Sequence, residues 1–346
     1  MPFVQNAWYV AGWSNEVGKE APWGRVIAGR PIVFYRGEDG SVVALEDRCS
    51  HRCAPLSKGR VEGDAVRCWY HGLLFGNNGA CLEMPGQDRV PSGFGIHAYP
   101  AVEKEGWIWV WLGSAAAADE ALIPACGLDE GGIDYRTGHL DYAANYELIN
   151  DNLCDLSHVA YVHEQTLARD ATDWVQREAT YTNIDNGVGV ARWIPGSQPL
   201  PLPGLPERVD IRSSYSFYVP GAMSLLIAYY PVGTAAAVEY GEPHDAPLFA
   251  LRNVHGITPT DEKSSRYHFG VSLPVNPCPP EALDAAIAMV TFAFGEDKQT
   301  IEDQQRALDL FPDVVLRNTV HDTALMRIRR LIANQIKRET TISSEV

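Results

Sequence analysis

The sequence predicts an α+β fold in which an N-terminal all-β domain is followed by a C-terminal domain of antiparallel sheet plus helices. Three observations favour this fold class: short apolar runs bounded by turn residues before residue 113, a low-complexity stretch at 114–120, and mixed strand and helix patterns after it. The low-complexity stretch is typical of a domain boundary, so we expect domains at 1–114 and 115–346.

The strands of the first domain are indicated by short apolar runs at 25–28, 32–35 and 42–45, with a Glu-Asp-Gly turn signal between the last two. Residues 106–113 carry a tryptophan at every second position, which places three tryptophans on one face of a further strand. Aromatic side chains gathered in this way are typical of a packed core.

The second domain combines both kinds of element. The pattern predicts helices and strands at these positions: helices at 145–163, 279–309 and 321–338, and strands at 215–219, 225–230 and 267–271.

Charge and composition exclude several classes of protein. The 346 residues include 28 Lys and Arg against 44 Asp and Glu, a formal net charge of -16, so we expect no nucleic-acid partner and no anionic membrane surface. No apolar run approaches the roughly 20 residues of a spanning helix. The N-terminal residues lack a basic region and an apolar secretion core, which predicts a cytoplasmic protein.

The seven cysteines do not suggest a disulfide framework, because their number is odd and a reducing compartment is expected. Metal ligation and free thiols are the remaining interpretations. Cys53 and Cys81 fit no metal-ligand spacing, so we expect them to be buried free thiols.

Two short segments have the spacing of metal ligands: Cys49-Ser-His51, and sixteen residues later Cys68-Trp-Tyr-His71. Zinc fingers usually pair like with like, whereas here each segment supplies one thiolate and one imidazole. That order suits a [2Fe–2S] cluster in which one iron takes both thiolates and the other takes both imidazoles. Zinc and coincidental spacing are the alternatives.

A second candidate site lies in the polar helix at 150–163. His158 and His163 are five residues apart, about 140° around an ideal helix, so they share a metal only if the helix breaks, and we expect a break near 159–163. Asn152 and Asp155 fall on one helical row with His158, and we place both in the catalytic machinery, Asp155 as acceptor from the outer nitrogen of His158 or else as a solvated helix carboxylate.

Two neutral imidazoles and one carboxylate form the facial triad of non-haem Fe(II), which leaves open positions for O2. The third ligand must be distant in sequence, and its candidates lie in the acidic stretch 296–304, where Asp297 and Asp303 are the two we consider.

At these residues the chain resembles the Rieske non-haem iron oxygenases. The segments 49–57 and 68–72 are similar to that family's cluster loops, and 6–11 and 84–87 resemble the vanillate O-demethylase and toluenesulfonate methyl-monooxygenase branch. The resemblance covers nearly the whole chain.

The resemblance implies an N-terminal Rieske [2Fe–2S] domain and a C-terminal mononuclear iron domain. It makes Asp297 the carboxylate ligand beside His158 and His163, and it implies a homotrimer in which Asp155 bridges to His71 of a neighbouring subunit. It also gives His255 a place facing the substrate pocket. Leu225 and Ile227, on an apolar stretch, are candidates to line that pocket.

The function implied is that of the terminal oxygenase component of a multicomponent monooxygenase acting on a small aromatic compound with O2. The chain lacks a Gly-rich dinucleotide fingerprint, so NAD(P)H-derived electrons must come from a separate reductase or ferredoxin. O-demethylation of a methoxybenzoate-type aryl methyl ether is the leading reaction, and hydroxylation of an aryl methyl group or ring is the alternative. A Rieske electron carrier is the competing class, although it needs only about the first third of the chain.

Overall fold

The computed structural model describes residues 3–128, 134–164, 166, 175–199, 205–273 and 279–344. The chain forms two compact units. The first contains residues up to Ala125, the segment Thr258–Glu262 and the residues from Glu339 onward, and the second contains Cys126–Ile257 and Lys263–Arg338.

The N-terminal part is built from three small antiparallel sheets, with strand orders β1-β11-β10, β2-β3-β4-β9 and β5-β6-β7-β8. The strands are β1 Trp8–Trp13, β2 Trp23–Ile27, β3 Arg30–Arg36, β4 Val42–Glu46, β5 Arg60–Glu62, β6 Ala65–Arg67, β7 Leu74–Gly76, β8 Cys81–Glu83, β9 Ala98–Tyr99, β10 Ala101–Lys104 and β11 Trp107–Trp111.

The aromatic strand β11 is central to its sheet. Its three tryptophans are buried, as the alternation indicates, and Trp8 and Trp13 of β1 lie directly opposite Trp111 and Trp107. The intervening residues of β11 are buried as well, so the strand is covered on both faces. The regular spacing of the tryptophans does not by itself indicate that the opposite face of β11 is covered.

The C-terminal part contains one seven-stranded antiparallel sheet, ordered β12-β18-β17-β16-β15-β14-β13. Its strands are β12 Tyr135–Tyr142, β13 Thr180–Ile184, β14 Gly187–Ser197, β15 Val209–Tyr218, β16 Ala222–Tyr230, β17 Phe249–Asp261 and β18 Ser264–Ser272. The helices are α1 Tyr146–Cys154, α2 Val159–Val162, α3 Thr234–Ala237, α4 Pro280–Leu310 and α5 Thr323–Ser344. The predicted α+β fold, all-β first and antiparallel sheet with helices second, is confirmed.

The helix expected over 145–163 is interrupted earlier than predicted. Asp155 has extended backbone angles (φ -117°, ψ 91°), which ends α1 at Cys154 and starts a 3-10 turn at Leu156–His158. The Asp155 carboxylate accepts the Ser157 amide, a local capping bond that competes with helix continuation. The break therefore precedes 159–163, while α2 ends within that range, and Asn152, Asp155 and His158 do not share one continuous helical row.

Helix α1 is held in place from two sides. Asn150 Nδ2 donates to the Pro220 carbonyl at 3.0 Å, and Arg329 of α5 makes a two-pronged ion pair with Asp151, with Nε 2.8 Å from Oδ1. Burial raises the pKa of Asp151, and the Arg329 guanidinium opposes that rise. Asn152, which lies on α1, is therefore carried by an anchored helix.

Among the helices that the structure describes, none combines the length and apolar character needed to cross a bilayer.

Candidate metal centres and substrate face

The two cluster loops fold alike. In each, the amide of the first cysteine donates to the carbonyl five residues on, from Cys49 to Ala54 at 2.8 Å and from Cys68 to Leu73 at 2.8 Å. The fourth residue after each cysteine donates back to it, at 2.9 Å in the first loop and 3.1 Å in the second. That residue is left-handed in both loops, Cys53 with φ 56° and Gly72 with φ 74°.

These loops place thiols and imidazoles at different depths. Cys49 and Cys68 are buried, whereas His51 and His71 are exposed and their ring centroids lie 4.7 Å apart. Burial, with a contribution from the neighbouring Cys68 thiol, raises the pKa of Cys49. Two inner thiols and two outer imidazoles fit a cluster with thiolates on one iron and imidazoles on the other.

The expectation for the other two N-terminal cysteines is partly wrong. Cys53 is exposed, because it occupies the left-handed turn position of its loop, and Cys81 is only half-buried.

Three side chains converge in the C-terminal unit: His158, His163 and Asp297, each offering one ligand atom within 4.8 Å of the others. His158 Nε2 lies 3.4 Å from Asp297 Oδ1, and His163 Nε2 lies 3.2 Å from Asp297 Oδ2. His158 stands at the start of the single-turn helix α2 and His163 directly after its end. The short helix and its 3-10 approach therefore bring both rings toward one carboxylate.

The outer nitrogens of both rings have acceptors. His158 Nδ1 lies 2.6 Å from the Asp155 carbonyl oxygen, and His163 Nδ1 lies 2.9 Å from Glu296 Oε2. A proton on each Nδ1 satisfies these acceptors and leaves the lone pair of each Nε2 directed at the shared carboxylate. Two inward imidazole lone pairs and one carboxylate are the donor set that suits non-haem Fe(II).

The pKa of His163 reflects its surroundings. Burial lowers it, but the hydrogen bonds and charges of Asp297 and Glu296 outweigh burial, so the pKa is raised overall. Two carboxylates therefore lie within hydrogen-bonding distance of the His163 ring.

The expected role of the Asp155 carboxylate toward His158 needs correction. The acceptor for His158 Nδ1 is the Asp155 main-chain carbonyl, and the carboxylate is occupied by the Ser157 amide at 2.9 Å. Asn152, from α1, donates from Nδ2 to Asp297 Oδ1 at 3.1 Å. Asn152 therefore contacts the Asp297 carboxylate, a contact that its position along the predicted helix did not indicate.

Asp303, the alternative carboxylate, lies outside this cluster. Its side chain is 60% exposed and is bonded to Gln299 and Arg306 on the same helix, whereas Asp297 is 4% exposed. Of the two, only Asp297 faces the histidines.

The three substrate candidates share one face of the sheet. Leu225 and Ile227 of β16 lie opposite Asn253 and Leu251 of β17, and His255 follows two residues after Asn253. Arg252, the residue before Asn253, points to the opposite face of the sheet, where its guanidinium donates to the Cys126 carbonyl at 3.2 Å.

His255 is almost fully buried, and burial lowers its pKa to about 3, with the charge of Asp297 opposing. Burial likewise raises the pKa of Tyr267 well above its usual range, so its hydroxyl keeps its proton, and the hydroxyl oxygen lies 2.6 Å from His255 Nδ1. The Nε2 atom of His255 has no hydrogen-bond partner among the residues described. The ring is therefore a neutral imidazole with one unused polar nitrogen.

Sequence reasoning did not identify Glu296, Thr166 or Tyr267. Glu296 lies in the acidic stretch that contains Asp297, so its position beside that residue was the available signal. Thr166 and Tyr267 carry no spacing signal, because their contacts with Glu296 and His255 form only in the folded chain.

Two family models match the chain. The Rieske [2Fe-2S] domain matches residues 7–99, and the vanillate O-demethylase oxygenase C-terminal domain matches residues 142–338. The match beyond residue 142 excludes a simple electron carrier, which would lack that domain.

Individual relatives match nearly the full length. The iron-sulfur subunit of the toluene-4-sulfonate monooxygenase system of Comamonas testosteroni is 34% identical over 97% of this chain and 98% of its own. The vanillate O-demethylase oxygenase subunit of Pseudomonas sp. strain HR199 is 35% identical over 95% of this chain and 94% of its own. The crystal structure of dicamba monooxygenase bound to dicamba superimposes with a TM-score of 0.87 at 31% identity, covering 99% of this chain and 100% of that one.

Proposed function

Since this chain belongs to the Rieske oxygenases with a vanillate O-demethylase-type C-terminal domain, we propose that it demethylates a small aryl methyl ether of the methoxybenzoate type. It is the oxygenase component of a multicomponent monooxygenase, with a [2Fe–2S] cluster and a mononuclear iron as cofactors.

We assign ligands to the [2Fe–2S] cluster and to the mononuclear iron. Cys49, His51, Cys68 and His71 hold the cluster in the domain at 1–114, and a second set holds the mononuclear Fe(II) in the domain at 115–346. That second set is His158, His163 and Asp297. When bound, the cluster supplies one-electron transfer and the mononuclear iron supplies the chemistry of O2.

One observation carries the assignment of the mononuclear site. Both histidines turn Nε2 toward the same carboxylate while both Nδ1 atoms are engaged by other acceptors. A histidine that ligates a metal donates a hydrogen bond from its outer nitrogen and keeps the lone pair of its inner nitrogen for the metal. Both histidines of this site are oriented in that way.

The proposed reaction consumes one O2, two electrons and two protons. One oxygen atom enters a C–H bond of the methoxy group, the other leaves as water with two protons, and the resulting hemiacetal breaks into a phenol and formaldehyde. Leu225 and Ile227 give the reacting ring an apolar wall, and the Nε2–H group of neutral His255 donates to a substrate oxygen. A vanillate O-demethylase among the relatives favours this reaction.

Hydroxylation of an aryl methyl group is the second candidate. It is supported by the relative from the toluene-4-sulfonate monooxygenase system, which is about as similar as the vanillate enzyme. The same metal ligands serve both reactions, so the distinction depends on the substrate that the pocket accepts.

We further propose the setting in which the enzyme works. A separate NAD(P)H-dependent reductase or ferredoxin donates electrons, three chains form a homotrimer, and the protein resides in the cytoplasm. Asp155, with Asn152, belongs to the catalytic machinery, and Asp155 faces His71 of a neighbouring subunit.

A substrate panel tests the proposed reaction. The purified oxygenase with a surrogate reductase and NADH is offered methoxybenzoates and methylated aromatics, and formaldehyde and alcohols are measured together with O2 uptake. We expect formaldehyde in equal amount to phenol from a methoxybenzoate. Alcohol from the methylated series with no formaldehyde from any methoxybenzoate selects hydroxylation instead.

A further inference from the structure

Helix α4 contacts the two edges of one imidazole with two consecutive carboxylates. Asp297 Oδ2 lies 3.2 Å from the inner nitrogen of His163, and Glu296 Oε2 lies 2.9 Å from its outer nitrogen. The ring is 2% exposed, so both contacts are made in a largely dry environment.

The two histidines of the site differ in the group that their outer nitrogen contacts. The outer nitrogen of His158 meets a neutral main-chain carbonyl, that of Asp155, at 2.6 Å, whereas the outer nitrogen of His163 meets an anion. A charged acceptor polarises an N–H group more strongly than a neutral one, so the inner nitrogen of His163 is the stronger electron-pair donor toward a metal.

Thr166 fixes the position of the Glu296 carboxylate. Its hydroxyl donates to Glu296 Oε2 at 2.8 Å, and its amide donates to the His163 carbonyl at 3.0 Å. The same carboxylate oxygen therefore accepts from His163 and from Thr166. Thr166 contacts both His163 and Glu296, and His163 and Glu296 contact each other, so the three residues form a closed set of hydrogen bonds.

We propose that Glu296 and Thr166 are positioning residues that fix the tautomer and orientation of His163 and make it the tighter of the two imidazole ligands of the mononuclear iron. The inference rests on the proposed function, because it requires His163 to be a ligand. Neither residue touches the metal position, and both act through the outer edge of the ring. Outer partners of this kind typically change metal affinity by about 10- to 100-fold.

Metal affinity, measured without turnover, tests this proposal. The mononuclear iron is removed anaerobically with a chelator while the cluster is kept, and Fe(II) is titrated back in competition with a chelator of known affinity. Zn(II) is titrated in parallel as a metal that undergoes no redox change. The variants are Glu296→Gln, which keeps the shape and one acceptor but removes the charge, and Thr166→Val, which removes only the hydroxyl. Asp309→Asn, an exposed carboxylate on the same helix, is the matched control.

We expect Glu296→Gln to bind both metals about 10- to 100-fold more weakly and to release Fe(II) faster. Thr166→Val should weaken binding less, by about three- to tenfold, because its hydroxyl acts on His163 only through the Glu296 carboxylate. Asp309→Asn should match the unmodified protein. The melting temperature of the metal-free protein and the visible spectrum of the cluster should be unchanged in all three, which separates positioning from a general loss of structure.

The possible failures are distinct. If Glu296→Gln binds as tightly as the unmodified protein, or if Asp309→Asn weakens binding equally, the positioning role is overturned. If Glu296→Gln fails to fold, unchanged affinity in Thr166→Val overturns it. If the unmodified protein takes up no Fe(II) beyond its cluster, the proposed function itself is at fault.

Discussion

Asp155 holds His158 through its main chain: its carbonyl oxygen lies 2.6 Å from His158 Nδ1, while its carboxylate accepts the amide of Ser157. The contact that orients the ring is therefore independent of the side chain at position 155. The carboxylate is left with a local capping bond and with free capacity for a further partner.

Asp155→Asn should consequently separate metal binding from electron transfer. The carbonyl is unchanged and the amide oxygen can still accept from Ser157, so we expect both metal centres to remain loaded. The charge that the family resemblance assigns to the bridge toward His71 is lost, and turnover should fall by at least about 100-fold. In a single-turnover experiment the reduced cluster should stay reduced when substrate and O2 are added. Rapid reoxidation with a normal product yield would show that the carboxylate is only a helix cap.

Asp297→Ala should remove the mononuclear iron and the activity while leaving the visible spectrum of the cluster intact. The reason is that the Asp297 carboxylate lies 3.2 Å from His163 Nε2 and 3.4 Å from His158 Nε2. His51→Ala should have the converse effect, bleaching the cluster and sparing the other iron. Iron analysis and absorption spectra distinguish them. Asp303→Asn is the control, and a loss of mononuclear iron in that variant would restore it as the ligand.

His255→Phe should raise KM for the aromatic substrate without loss of either metal centre. The change keeps a flat ring but removes the unused Nε2–H donor, and one missing hydrogen bond to a buried partner lowers kcat/KM by about tenfold. Tyr267→Phe is the matched variant, because it deletes the hydroxyl bonded to His255 Nδ1 and spares the donor that faces the substrate. Steady-state kinetics over the substrate panel measure both, and equal kcat/KM in His255→Phe and the unmodified enzyme argues against substrate contact.

Arg329→Met should destabilise the fold in a pH-dependent manner. The arginine pairs with Asp151, whose side chain is 19% exposed, and its own is 39% exposed, so we discount the cost of breaking a buried pair to about 1–3 kcal/mol. Burial already raises the pKa of Asp151 above its unfolded value, and losing Arg329 raises it further. A raised carboxyl pKa gives stability at low pH that is lost as pH rises, so the destabilisation should shrink between about pH 7 and pH 5.

Chemical denaturation at both pH values measures this effect. Adding Asp151→Asn to the Arg329→Met variant should recover part of the loss at neutral pH, because the uncompensated charge is then gone. A loss that is equal at both pH values would attribute the effect to packing of the arginine stem.

The two proposed cluster loops could be predicted from the sequence because their candidate ligands are close together in the chain, with Cys49 and His51 in one loop and Cys68 and His71 in the other. The pairing of Glu296 with His163 could not be, since 133 residues separate the two and only the packing of α4 brings them together. The break at Asp155 was misplaced for another reason. The apolar pattern of 145–163 suits a helix throughout, and a single capping bond from an aspartate decides where it ends.

The burial of individual cysteines was hard to predict. A cysteine without a metal-ligand partner is usually buried, but Cys53 takes the left-handed turn position that glycine holds in the second loop, and its side chain is exposed there. A left-handed backbone conformation at a residue other than glycine is difficult to predict from a single sequence.

Strand β17 and helix α5 also have a consequence for biosynthesis. Thr258 donates to the Val10 carbonyl at 2.6 Å, Ala28 donates to the Pro259 carbonyl at 2.7 Å, and Glu339 accepts from the amides of Gln5 and Asn6 at 2.8 Å each. The N-terminal unit is therefore completed by residues that a ribosome adds hundreds of codons later. Until position 339 has been translated and has left the exit tunnel, the nascent N-terminal unit lacks the hydrogen bonds that this residue makes to Gln5 and Asn6.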